Sequence, residues 1–198
     1  MNTRIFSCSL AALMLAGTAS FASAETWKVD KSHSTVGFSV RHLFTKVQGR
    51  FDAFDGSIEF DPDDLSKTVV KGQIEAASIN TNMAKRDEHL RSSDFFHVGK
   101  FPKITFVSRG VTDVDKGRAT GKLKGDLTIH GVTRPVVLDV SFLGQGEDPW
   151  GNKRAGFTAS LTIDRKDYGL TWNEALETGG VLVGDEVEIR IDAEGLSE

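Results

Sequence analysis

Apolar and polar residues alternate one by one through most of this chain. That period of two is the signature of a strand with one buried face and one wetted face. Residues 35–41 set Val36, Phe38 and Val40 on one side and Gly37, Ser39 and Arg41 on the other. Residues 121–130 set Leu123, Leu127 and Ile129 against Lys122, Lys124, Asp126 and Thr128. Segments 136–142 and 156–164 repeat the pattern with Val136, Leu138, Val140 and Phe142, then Phe157, Ala159, Leu161 and Ile163. The last strand alternates Val187, Ile189 and Ile191 with Glu186, Glu188, Arg190 and Asp192. Weaker strand signals cover 57–60, after an Asp55-Gly56 turn signal, then 68–79, where Gly72 predicts a bend or bulge, and 104–111. His130-Gly131 and 144–151 read as turns, and Pro135 as the head of a strand.

Two stretches break the period. Residues 82–93 predict a short helix capped by Thr81, and 172–177 a helical turn or loop before Gly179-Gly180. The glycine pair can hinge a flap or simply supply positive φ. The count is eight or nine antiparallel strands in one all-β domain. A closed barrel of about eight strands is just wide enough for side chains or one small ligand. A membrane barrel would turn its apolar face to lipid, and the outward set of Lys, Glu, Asp, Arg and Thr argues against that. A two-sheet sandwich stays open, because periodicity does not reveal closure.

The N-terminus changes the boundaries. Arg4, the apolar run Ile5–Ala16 and Ala22-Ser23-Ala24 compose a secretory signal over residues 1–24, with cleavage before Glu25. The domain is then 25–198, or 198 less 24, which is 174 residues. The single cysteine, Cys8, lies inside the leader, so the domain must fold on its core alone. An exported chain without disulfides fits a bacterial periplasm. Removing the leader takes one positive charge from −4, leaving −5. That mild acidity argues against nucleic acid or an anionic membrane surface as a partner, and peripheral or no membrane contact is expected. No residue marks a subunit interface, and a homodimer stays open.

An ordered set of short motifs runs through the domain. It begins with Asp30-Lys31-Ser32-His33-Ser34, Val36–His42 and Val47-Gln48-Gly49-Arg50-Phe51. It continues with Arg86–Ser92, Phe95-Phe96 and Phe101–Phe106. It ends with Leu127–Val136, Ile163–Leu170 and Val183–Val187. In these the chain resembles the YceI family of exported, lipocalin-like, polyisoprenoid-binding proteins. One departure is His97, where the family pattern has an Asp after the Phe pair. The resemblance implies an eight-stranded antiparallel lipocalin-like barrel with a short helix between strands and a long apolar tunnel. It further implies a periplasmic setting and a long-chain amphiphile as ligand, such as a polyisoprenoid or quinone-like lipid. It implies binding, with no reaction and no cofactor.

The candidate ligand-contacting set is the apolar face: Phe38, Val40, Phe51, Phe106, Leu127, Ile129, Leu138, Val140, Phe142, Phe157, Leu161 and Ile163. These residues either fill the barrel or line a pocket. Gly125 and Ala159, in phase with large neighbours, are expected to leave space. Ten buried CH₂ groups contribute about 8 kcal/mol gross, near micromolar before the costs of binding. His42, which shares parity with Phe38 and Val40, is the headgroup candidate, joined by Arg86 and Trp172. His33, His42, His89, His97 and His130 show no H-x-x-x-H or H-E-x-x-H spacing, so no metal site is expected. Asp30, His33 and Ser34 lack a nucleophile elbow. The predicted helix, with Arg86, Asp87 and His89, can lid or plug one barrel end. An enzyme acting on such a lipid, and a filled barrel with no ligand, are the competing functions. Loss of turnover on changing His33, His42 or His89, with lipid binding intact, would favour the enzyme.

Overall fold

The computed structural model describes residues 25–60, 64–176 and 180–198. The predicted signal segment 1–24 and Gly179 lie outside these residues. The strands are β1 (Glu25–Val29), β2 (Thr35–His42), β3 (Thr45–Phe51), β4 (Phe54–Phe60), β5 (Val69–Glu75) and β6 (Ile79–Asn80). Then follow β7 (Lys103–Asp115), β8 (Thr120–Ile129), β9 (Val132–Glu147), β10 (Lys153–Asp164) and β11 (Val183–Ser197). The helix α1 (Ala84–Arg91) separates β6 from β7.

These strands form eight staves. β1 and β2 are one stave interrupted at 30–34, since both pair with β11. β3 and β4 are the next, interrupted at Asp52 and Ala53, and pair with β2 and β1 respectively. β5 and β6 make the third, broken by a 3₁₀ turn at Ala76–Ser78. β7 to β11 run unbroken, and each pairs antiparallel with its neighbours. Pairing of β1 with β11 closes the ring, so the molecule is a closed eight-stranded antiparallel barrel with a short helix between strands, and not a sandwich. The alternation is literal in β8, where Gly121, Leu123, Gly125, Leu127 and Ile129 are all buried and the residues between them are not.

Several local expectations change. Asp55-Gly56 lies inside β4 and makes no turn, and the stave is interrupted earlier, at Asp52 and Ala53. Gly72 sits in register between Gly56 and Phe106 without a bulge, and the break comes at Ala76–Ser78. Pro135 is not at a strand head. It pairs with Asp126 in a part of β9 that lies beyond the reach of β10, so its missing N–H breaks no ladder on that side. His130 (φ 51°) and Gly131 (φ 75°) make the two-residue β8–β9 hairpin, where left-handed backbone matches the strand twist. The helical turn near the C-terminus is Arg165–Tyr168, ended by left-handed Gly169, while 171–174 has no regular structure.

Candidate functional site

The barrel encloses one cavity of about 870 Å³. All twelve apolar positions named from the alternation line it. The chain direction defines two ends. The lower end holds Glu25 and Glu198, the 3₁₀ turn Leu65–Lys67 and the turns at 116–119 and 148–152. The upper end holds the 43–44 turn, α1, the 92–102 segment and residues 165–182.

The lower end is floored. Trp27, 1% exposed, packs with Ile58, Phe60 and Ala155, and with Phe142 and Phe157 against them. The Phe60, Phe142 and Phe157 rings sit 4.8 to 5.6 Å apart, within the range of favourable aromatic pairs. Gly195 makes room for this floor, since a Cβ there would stand 2.8 Å from the Cβ of Trp27.

Glycines shape the wall in two ways. A Cβ on Gly125 would meet the Phe106 ring at 2.4 Å, and one on Gly49 would meet the Phe38 ring at 2.3 Å. Those rings therefore lie flat over bare backbone, so Gly125 seats a side chain and does not add space. Gly72 is the opposite case, with no atom within 4 Å of an added Cβ. Phe106 is its cross-strand partner, yet the ring leans diagonally onto Gly125 and leaves Gly72 open to the lumen.

The upper end is roofed by α1 and the segment after it. Leu90 and Phe96 pack down onto the core around Phe51, with the Phe51 and Phe96 rings 5.9 Å apart, edge to face. Arg91 donates to the Ala77 and Ile79 carbonyls and ties α1 to the 3₁₀ break. Thr81 is not the helix cap, which is Met83 with no side-chain bond. Thr81 donates through N and Oγ1 to buried Asp87, and Arg86 donates through Nε and Nη2 to Thr81 Oγ1 and its carbonyl. Trp172 meets His89 edge to face at 4.9 Å and Phe95 at a tilt at 5.1 Å, joining the late loop to the roof. His89 Nε2 lies 2.9 Å from Asp94 Oδ2.

His42, Arg86 and Trp172 all line the cavity at this upper end, together with Thr81, Lys85 and His89. Met83 and Lys85 are both lumen-lining and exposed, which marks the mouth between α1 and the β2–β3 hairpin. A residue that sequence reasoning passed over is Arg165, 4% exposed. It donates to the carbonyls of Gly184, Leu170 and Trp172 and to Asp185, binding the late loop to β11. Lys166 holds the Asp185 carboxyl below its ordinary value. In sequence Arg165 is one more charge in Asp-Arg-Lys-Asp, and no periodicity marks it.

The remaining histidines are explained locally. His97 has φ 45°, and its carbonyl accepts from the N–H groups of Lys100 and Phe101. Both His and Asp tolerate left-handed backbone, so the departure from the family pattern preserves a turn. His130 Nδ1 lies 3.2 Å from the Tyr168 carbonyl, and burial pushes the Tyr168 hydroxyl up. His33 Nδ1 is 2.7 Å from Asp30 Oδ2, and Ser34 Oγ accepts from the Glu194 N–H. Asp30, His33 and Glu194 do converge within 4.8 Å, a grouping that His-to-His spacing could not reveal. Arg154 is already there, bonded to Asp30, Glu194 and Asp148. His33 and then Arg154 hold the Asp30 carboxyl far below the usual range, and Arg154 and then Asn152 do so for Asp148.

A model of the YceI-like domain matches residues 27–195. A UPF0312 protein of Pseudomonas paraeruginosa is 41% identical over 196 residues, covering 96% of this chain and 98% of its own. The crystal structure of the Campylobacter jejuni YCEI protein is similar at a TM-score of 0.69 and 32% identity, covering 85% of this chain and 96% of that one. A polyisoprenoid binding domain from Saccharophagus degradans, implicated in plant cell wall breakdown, has the same fold. Its TM-score is 0.63 at 18% identity, with 88% of this chain and 99% of that one covered.

Proposed function

The chain belongs to the YceI-like family, and on that premise we propose that it binds a long-chain isoprenoid or related amphiphilic lipid, tail inward, and carries it in the periplasm. The observation that carries this reading is the uneven chemistry of the lumen. The lining is predominantly apolar, and His42, Thr81, Lys85, Arg86 and His89 line its upper end beside the mouth. A cavity of about 870 Å³ is at the large end of the range that ligand sites occupy. Its apolar walls favour an alkyl or prenyl tail at roughly 0.8 kcal/mol per CH₂ buried. A tail held this way is selected by length and width, so lipids with different heads compete for it. The Saccharophagus degradans domain, described as polyisoprenoid binding, gives the ligand class a precedent on this fold. The signal pattern over residues 1–24 supports export.

The test is organic extraction and mass spectrometry of natively purified protein. A stoichiometric prenyl or long-chain species, displaced by a second such lipid, is the expected result. Protein that is lipid-free from several hosts, and that takes up no offered prenyl lipid, would refute the reading.

A further inference from the structure

The mouth of the cavity carries apolar side chains exposed to solvent. Phe44, at the tip of the β2–β3 hairpin, is 98% exposed, and Met83, one residue before α1, is 51% exposed. Val181, on the neighbouring loop, is 37% exposed, and Leu43 N–H donates to the Leu182 carbonyl beside it. The hairpin holds its tip outward with Leu43 in a left-handed conformation, φ 52°. His42 and Val47, just inside the tip, already line the lumen, as do Met83 and Leu182. The protruding Phe44 therefore stands two residues from a lumen-lining side chain, His42, at the rim of the cavity.

The charges of the hairpin itself are biased. Residues 41–50 carry Arg41, Lys46 and Arg50 and no acid. Lys46 and Arg50 are paired with Glu188 and Asp52. Among the described residues, Arg41 bonds the Leu43 carbonyl and lies near the Asp185 carboxylate, Arg86 bonds Thr81, and Lys85 has no partner. The exposed acids of this end without an ion pair among the described residues, Glu88, Asp164, Asp167, Glu174 and Glu186, all lie outside this hairpin. An exposed aromatic ring flanked by cations is the chemistry of a segment that inserts at an anionic lipid–water interface.

We propose that this rim docks the barrel, mouth down, on a bilayer containing anionic lipid, with Phe44 as the inserted anchor. A lipid with a long tail is scarce in water and abundant in a bilayer, so a mouth seated on the bilayer spares the tail from crossing water. The proposal goes beyond the binding reading and does not need it. The net charge of −5 opposes such contact only on average, and the hairpin itself is positive.

The test is flotation of purified protein, its N-terminus read by intact mass, with vesicles of phosphatidylglycerol and phosphatidylethanolamine or of phosphatidylcholine alone. The wild type is expected to float with the anionic vesicles. Phe44→Asp should weaken this about tenfold or more, and Arg41→Gln with Lys85→Gln about fivefold for each cation removed. Trp150→Ala, on an exposed ring at the opposite end, should change nothing. Because Phe44 is exposed, its variant keeps the barrel, which circular dichroism checks. Wild-type protein that stays with no vesicle would overturn the proposal and leave a protein partner for the rim. Equal flotation of wild type and Phe44→Asp, or loss on Trp150→Ala alone, would overturn it too. Lipid extraction on the same samples reads the cavity separately, so failure at the rim is distinguishable from failure of the lumen.

Discussion

The floor and the wall of this barrel use the same residue type to opposite ends. Around Trp27, the rings of Phe60, Phe142 and Phe157 meet one another and close the lower end. Higher up, Phe38 and Phe106 lie back against Gly49 and Gly125 and leave the centre empty. A ring that a glycine lets recline leaves the centre open even where, as with Phe38 and Phe51 at 5.8 Å, it also touches another ring. The content of phenylalanine is therefore silent on hollowness, and what stands across or diagonal to each ring decides it.

Three substitutions test that contrast. The largest effect is expected from Trp27→Ala, which removes the centre of the floor and should cost about 3–5 kcal/mol in a urea titration. A cost below about 1 kcal/mol would mean that the floor is not packed. Gly125→Ala comes next, at about 1–3 kcal/mol, because its methyl collides with the Phe106 ring and with the Val107 carbonyl at 2.7 Å. Gly72→Leu is its counterpart: stability should hold or rise, since its Cβ meets open space, while lipid occupancy falls about tenfold. Unfolding at neutral pH and extracted lipid per mole separate those two glycines directly.

The smallest effect concerns acid. Folding lowers the pKa of Asp30 and Asp148, so these groups add stability above the ordinary carboxylate range of about 4 and lose it as pH falls below that. Arg154→Met removes the shared cation and should flatten the decline in urea midpoint between pH 5 and pH 3 relative to wild type. An unchanged slope would assign the acid sensitivity to other carboxylates.

Much of this architecture was legible in the chain, for a physical reason. In-register antiparallel strands keep one parity on one face, so Val36, Phe38 and Val40 or Leu123, Leu127 and Ile129 announce the lumen without knowledge of their partners. α1 was legible because a charged, non-alternating stretch fits no strand. What parity does not carry is identity across strands. Gly72 and Gly125 look alike in sequence and differ only in where the Phe106 ring leans. The interruptions at 30–34, 52–53 and 76–78 depend on which neighbour each half-stave pairs with. Arg165 reads as a surface charge until the late loop brings the Leu170 and Trp172 carbonyls to it. Net charge likewise hides the rim, where the cations of residues 41–50 have no acid among them.

The seam between β1 and β11 has a kinetic meaning. Trp27 pairs with Ser197, and the Glu198 N–H donates to the Thr26 carbonyl, so the first and last segments of the domain depend on each other. Until residues 183–197 are available, β2 and β10 each lack a neighbour and present raw edges to other chains. Ring closure over almost the full chain length makes assembly slow and all-or-none, in the regime of milliseconds to seconds typical of β topologies with distant contacts. A ribosome-bound nascent chain stalled before Val183 would thus stay open and unable to seal its core, however strong the alternation upstream.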